Sequence, residues 1–307
     1  MPHKLFEGDN LKPKCRVNDI DIMYEAYGNG DTVVYLQSVL GGINPGAYYF
    51  AGRLSRSFRV IIWDGPNCGQ LGTVIKDTPS EYHLACEYLA GLLDVLGESS
   101  VHIAGCSGGG EMGLLFSALY PDRVKSLAMY RPTDTSTEME HMIIKARYFD
   151  IADAAAISMR EAVRYSEDPP PNRWSGISHW LADLYRKDSE KILGMNNRDF
   201  SRIITNWGKW MGNPGFYRAN LSDDSLGQIK IPVLICPCPD DYHPERLAED
   251  LNKNLPRSVC VPVGKYRSVN EIYNAEYDEN PFGGFADFVN EYERFAENVA
   301  KNSYTKE

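Results

Sequence analysis

The stretch that decides the fold runs from Val101 to Val124 and reads VHIAGCSGGGEMGLLFSALYPDRV. A short run, Val101-His102-Ile103-Ala104, leads into a glycine-bounded turn, Gly105-Cys106-Ser107-Gly108-Gly109. An apolar segment of helical character follows and stops near Pro121. This is the grammar of strand, tight turn and helix, with Ser107 at the apex. The turn lacks the Lys-Ser/Thr pair of a phosphate loop, which argues against nucleotide binding. A serine presented for chemistry needs a base to take its proton, so the position of a histidine becomes the central question.

Outward from the turn, strands and helices alternate. Cys15–Gln37 reads as strands, with a turn at Asn29-Gly30-Asp31. A Gly/Pro loop, SVLGGINPG, precedes a short helix at AYYFAGRLSRS. Phe58–Trp63 is a buried-type strand closed by the loop DGPNCGQLG. Pro79–Gly97 has helical spacing, with Leu84, Tyr88, Leu89, Leu92 and Leu96 on one face, Ser80 as N-cap and Gly97 at its end. Ser126–Tyr130 is the strand after the serine helix. Such alternation predicts an α/β fold with a mostly parallel central sheet covered on both faces.

From about Thr135 to Gln228 the pattern turns helical, with Trp174, Trp180, Trp207 and Trp210 and a break at DPPPNRW. Strand grammar then resumes at IPVLICPCPDD, followed by a helix at HPERLAEDLNKNLP, a last strand at SVCVPV and a closing amphipathic helix. The expected division is a core of residues 1–134 and 229–307 with a helical insertion at 135–228.

A net charge of −10 excludes an extended phosphate-binding surface, so no nucleic-acid partner is expected. No apolar run reaches the roughly 20 residues of a spanning helix, and MPHKLFEGDN has no apolar leader core. Seven scattered cysteines suit reduced thiols and a cytoplasmic location. Cys236, Cys238 and His243 lack the second ligand cluster that zinc usually takes. The expected partner is a small molecule, with no metal, redox cofactor or membrane, and a homodimer is compatible with the chain.

The whole pattern resembles the α/β-hydrolase superfamily over nearly the full length. Gly105-Cys106-Ser107-Gly108-Gly109 fits its G-x-S-x-G nucleophile elbow in the required strand–helix context. QSVLGG stands where the family often carries an oxyanion loop, FRVIIWDGPNCGQLG is similar to its strand and following D-x-x-G loop, and PVLICPCPDDYHPERLAEDL is similar to its acid-bearing segment in the D-x-x-H-P variant. The helical insertion occupies the place of the family's cap. The resemblance implies Ser107 as nucleophile, the amides of Val39 and Gly108 as the oxyanion hole, and Asp240 as the acid, with Asp241 the choice if the register slips by one.

The resemblance also implies a histidine just after the last strand, near VPVGKYRSVNEIY, and none stands there; His243 is the last histidine of the chain. Tyr266 and Arg267 fall about where it belongs. Arginine stays protonated and cannot serve, and a tyrosine would need a strong downward pKa shift. His243 reads either as a loop or helix-start residue or as a replacement base, and His141 and His179 of the insertion are the other candidates. His83 and His102 read as structural. The elbow turns the residue after Cys106 outward, so Cys106 is not the nucleophile. Glu111 lies one turn into the serine helix, where burial would raise its pKa. Substrate-binding candidates are Ser38, Cys106, His141, Trp180, Tyr266 and Arg267.

Three functions fit. One is hydrolysis of a small apolar or aromatic ester, lactone or related acyl substrate through Ser107, with an atypical triad of Ser107, Asp240 and His243. The second is a lyase, decarboxylase or cyclase that uses the oxyanion hole on an enolate. The third is a ligand-binding pseudoenzyme. Fold alone does not choose among them.

Overall fold

The β-branched and aromatic runs of the sequence form strands in the computed structural model, which describes residues 13–37, 42–69, 73–135, 138–168, 179–240, 243–264 and 284–301. The described strands are β1 (Lys14–Val17), β2 (Ile20–Tyr27), β3 (Thr32–Leu36), β4 (Arg59–Trp63), β5 (Val101–Cys106), β6 (Val124–Tyr130), β7 (Val233–Cys236) and β8 (Ser258–Cys260). They form one sheet in the order β1-β2-β4-β3-β5-β6-β7-β8. The pairs β1–β2 and β2–β4 are antiparallel. All the others are parallel. This is the α/β-hydrolase arrangement that the sequence predicts.

Because strand side chains alternate in direction, each central strand feeds two cores. Val34, Leu36, Ile61, Ile103, Leu127, Met129 and Ile235 face α2 (Glu81–Val95) and α3 (Gly108–Leu119). Val33, Tyr35, Val60, Ile62, Ala104, Ala128, Tyr130 and Leu234 face α1 (Pro45–Leu54) and the C-terminal helix Phe285–Ala300. Most caps follow the sequence signals. Asn44 accepts from Ala47 N at the start of α1, and Ser80 accepts from His83 N at the start of α2. The strand expected over SVCVPV is shorter, ending at Cys260. Pro262 has no amide to give the ladder, and only single contacts continue, such as Val261 N to Ile235 O at 2.9 Å.

Between β6 and β7 the described residues carry helices and no strand. They are α4 (Glu138–Ile144), α5 (Asp150–Ile157), α6 (Met159–Glu167), α7 (Trp180–Lys187), α8 (Ser189–Leu193), α9 (Asn197–Met211) and α10 (Asp223–Gln228). A wider π-type turn, Lys145–Phe149, joins α4 to α5. This segment is tied to α2 by a buried ion pair. Arg147 Nη2 reaches both oxygens of Glu81, at 2.9 and 3.1 Å, and Tyr148 donates its hydroxyl to Glu81 Oε2 at 2.7 Å. Both charged side chains are only 2% exposed. After β7 come α11 (Glu245–Asn254) and, after β8, α12 (Phe285–Ala300). Among the described residues no helix is long and apolar enough to cross a membrane.

The turn between β5 and α3 depends on two glycines. A Cβ on Gly105 would lie 2.2 Å from Gly109 O, and one on Gly109 would lie 2.0 Å from Leu36 O. Both obstacles are backbone, which cannot rotate away. Gly109→Ala is therefore expected to lower the unfolding free energy by about 2–3 kcal/mol through overpacking. Urea titration of the variant beside the parent checks this, and an unchanged midpoint would contradict the close approach of β3 and α3.

Candidate active site

Ser107 sits between the last residue of β5 and the first of α3. Its backbone angles, φ 51° and ψ −131°, lie in a region that a side chain normally avoids. The strain is held by neighbours on both sides. Ser107 N donates to Tyr130 O of β6 at 2.8 Å, and Gly110 N donates back to Ser107 O at 2.7 Å. Ten residues of α3, Gly108 to Ser117, are buried, so the helix is a rigid support. Gly108 opens this helix directly after the serine, at the end where helix amides lack intrahelical acceptors.

A second loop meets this one at the same edge of the sheet. It begins after β7 and contains Asp240 and His243. The Asp240 carboxylate folds back on its own chain, with Oδ1 accepting from His243 N at 3.0 Å, and His243 N also lies 3.3 Å from Asp240 O. Pro244 ends the turn as the cap residue of α11. The fold-back brings His243 Nδ1 to 2.7 Å from the same Oδ1. The other ring nitrogen, Nε2, lies 3.2 Å from Ser107 Oγ. Serine, imidazole and carboxylate thus stand in one hydrogen-bonded row. Asp240 is 2% exposed at its side chain, so its charge acts through a medium poor in water.

Two residues that sequence reasoning did not single out join the row from the end of β6. Thr133 Oγ1 lies 2.8 Å from Ser107 Oγ, while Thr133 N donates to Glu111 Oε1 at 2.7 Å. Glu111 is fully buried on α3, in keeping with its place one turn into the serine helix. Arg131 follows β6 directly. Its guanidinium pairs with Asp240 Oδ2 and lies 3.1 Å from His243 Nδ1. The available signal was position alone, because residues just past the carboxyl ends of neighbouring parallel strands converge on one crevice. Burial first, and the Arg131 charge second, hold the His243 imidazole well below its usual pKa. The ring is neutral near pH 7.

The other sequence candidates divide. His243 lies one residue before the cap of α11, and its Nε2 is 3.2 Å from Ser107 Oγ. His141 is exposed on α4. His179 has its Nδ1 2.7 Å from Ser166 O. Trp180 is buried within the helical segment and donates Nε1 to Arg147 O at 3.0 Å. Trp207 donates to Thr78 O at 3.2 Å and Trp210 packs on Tyr82, so both join the helical segment to the core. These contacts account for Trp180, Trp207 and Trp210 as packing residues. Cys106 packs on the other side of the sheet with Tyr35 and Tyr130, its thiol pushed up to about 11 by burial. Ser38, Val39, Trp174, Asp241, Tyr266 and Arg267 lie outside the described residues. Among the described residues no group of three His, Cys, Asp or Glu is gathered for a metal.

Comparison with known proteins adds to this geometry. A sequence model described as the alpha/beta hydrolase fold matches residues 32–236. A 2-hydroxy-6-oxononadienedioate/2-hydroxy-6-oxononatrienedioate hydrolase of Pseudomonas putida is 34% identical over 119 residues, covering 36% of this chain and 40% of the relative. A 2-hydroxy-6-oxo-6-phenylhexa-2,4-dienoate hydrolase of Comamonas testosteroni is 29% identical over 123 residues, 38% of this chain and 41% of the relative. The chain thus spans about two fifths of the length of the curated relatives it matches. Among solved structures, the enol-lactonase from Burkholderia xenovorans LB400 superposes with a TM-score of 0.54 at 17% identity, over 93% of this chain and all of that one. At that identity the likeness speaks for the fold alone.

Proposed function

We propose, for a chain that belongs to the α/β-hydrolase fold family, that Ser107, His243 and Asp240 form a compact catalytic triad that hydrolyses a small acyl substrate. The observation that carries the reading is the row Ser107 Oγ, His243 Nε2 and Nδ1, Asp240 Oδ1, at 3.2 and 2.7 Å. The Asp240 carboxylate accepts the proton of Nδ1, so Nε2 presents its lone pair to the serine. With the serine proton directed at Nε2, the Thr133 hydroxyl, 2.8 Å from Ser107 Oγ, takes the donor role toward it.

In the first half-reaction, Ser107 Oγ attacks the acyl carbon as its proton passes to His243 Nε2. The carbonyl oxygen becomes an oxyanion that the Gly108 amide stabilises, together with a second amide for which Val39 is the candidate. The intermediate collapses, the acyl–leaving-group bond breaks, and His243 returns the proton to the leaving group. Water repeats the sequence and releases the acid. Asp240 stabilises the imidazolium formed in each half. The names of the relatives point to a substrate class of enol or dienol acyl compounds.

Labelling with a fluorophosphonate, read by intact mass, tests the reading. The parent is expected to gain one adduct and Ser107→Ala none. Folded parent that stays unlabelled would sink the acyl-serine mechanism. Hydrolysis of aryl esters, enol-lactones and 2-hydroxy-6-oxo-dienoates then ranks the substrate classes.

A further inference from the structure

We propose that Arg131 is a positioning residue that holds Asp240 by one carboxylate oxygen, so that the other faces His243 and fixes the proton on Nδ1. The inference rests on the proposed triad and goes beyond it by adding a residue that the triad itself does not need.

Three observations carry it. The first is the division of the carboxylate. Oδ2 pairs with the Arg131 guanidinium, and Oδ1 takes His243 Nδ1 at 2.7 Å and His243 N at 3.0 Å. Without the arginine, the carboxylate plane would be free to turn about χ2 and to lose its alignment with His243 Nδ1. The second is the backbone. Arg131 has φ of 59°, in the left-handed region unusual for a residue with a side chain. Its N–H is bound to Cys236 O at 3.0 Å, at the end of β7. The residue is thus fastened to the strand that launches the acid loop, and strain is spent on aiming its side chain. The third is the second contact of the guanidinium, 3.1 Å from His243 Nδ1. A cation at that distance opposes a second proton on the ring.

Carboxylate and guanidinium make opposite demands on Nδ1. The carboxylate wants a proton there, and the guanidinium wants a lone pair. The shorter contact and full opposite charge favour the carboxylate, so the resting ring is singly protonated at Nδ1. Arg131 therefore allows one proton and resists the second. Charged or titratable groups on the elements around His243 include Asp240 on its own loop, Tyr130, Arg131 and Asp134 at and after the end of β6, Glu245 and Arg246 on α11, the latter paired with Asp134, Glu111 on α3, Cys106 on β5 and Cys236 on β7. Of these, Arg131 and Asp240 contact the ring.

The test is nitrogen NMR of 15N-histidine-labelled protein, which reads protonation site and titration without requiring turnover. In the parent, the neutral His243 ring is expected to carry its proton on Nδ1, and a proton on Nε2 would overturn the proposal. In Arg131→Gln, the His243 titration is expected to move up by about one pH unit. Because the ring then holds its second proton to higher pH, the acidic limb of kcat/KM moves up with it. Arg131→Lys, which keeps the charge, should titrate like the parent to within about half a unit. A merely structural arginine would lower the plateau of both variants and leave the titration in place, which also overturns the proposal. Arg131→Met is the second uncharged variant should the glutamine one fail to fold. If neither folds, a lysine variant that titrates a full unit higher refutes the charge effect. Failure of the triad itself would appear separately, as a Ser107 that does not label in a parent whose His243 titrates normally.

Discussion

Replacing His243 by glutamine is expected to lower kcat on an activated aryl ester by about 10³- to 10⁴-fold, the range in which a positioned base contributes. KM should stay within a few-fold of the parent, because the ring contacts Ser107 rather than filling a binding pocket. The rate of Ser107 phosphonylation should fall in parallel, since attack on phosphorus needs the same proton transfer. Glutamine keeps a polar side chain of moderate size at the start of α11, so the thermal midpoint should move by only a few degrees. Stopped-flow or steady-state hydrolysis, with calorimetry beside it, checks both parts. A kcat within tenfold of the parent would mean that some other group takes the serine proton. Residual activity over water is expected, from the oxyanion amides and from binding.

The second large effect concerns stability. Arg147→Met should cost about 3–5 kcal/mol of unfolding free energy, because it leaves the Glu81 carboxylate buried with only part of its satisfaction. Such a loss is a large share of the total stability of a domain, about 5–15 kcal/mol. Removing both charges as Glu81→Leu/Arg147→Met should recover more than half of the loss, since the pair then disappears together with its desolvation cost. The contact ties the π-type turn to the first turn of α2, with Tyr148 as third partner. Urea unfolding of the parent, the two single variants and the double variant closes the cycle. Additive losses would show that Glu81 and Arg147 act independently, against the observed bidentate contact.

The elements were legible where a backbone rule left the sequence little freedom. Gly105 and Gly109 are dictated by backbone atoms about 2 Å from where a Cβ would sit, so the elbow announces itself in the residue types. The alternation of Val33, Val34, Tyr35 and Leu36 between two cores marked a strand covered on both faces. The loop after β7 drew notice because Asp240, His243 and Pro244 carry a spacing, with Asp241 as the other choice of acid. The role of His243 was harder to read. The expected order put the base after β8, and a histidine three residues from the acid looks like part of the turn. What brings the ring round is the fold-back of the Asp240 side chain onto its own backbone, a contact that no periodicity encodes. Arg131 and Thr133 were missed for a related reason. Their positions past β6 depend on a left-handed backbone at Arg131 and on a buried carboxylate on another element. The Glu81–Arg147 pair was equally silent, because binary patterning assigns charged residues to the surface. His141 was chosen for its chemistry alone and lies exposed.

Asp240 and His243 share one short loop, and this changes how motion affects the relay. When acid and base come from separate loops, drift of either one breaks the contact between them. Here the two stand three residues apart, and their mutual contact of 2.7 Å is a local one. Contacts to Ser107 and to Arg131, both on other elements, tie the pair to the rest of the fold. A displacement of the pair would therefore be felt first at Ser107 and Arg131, and only afterwards within the pair itself.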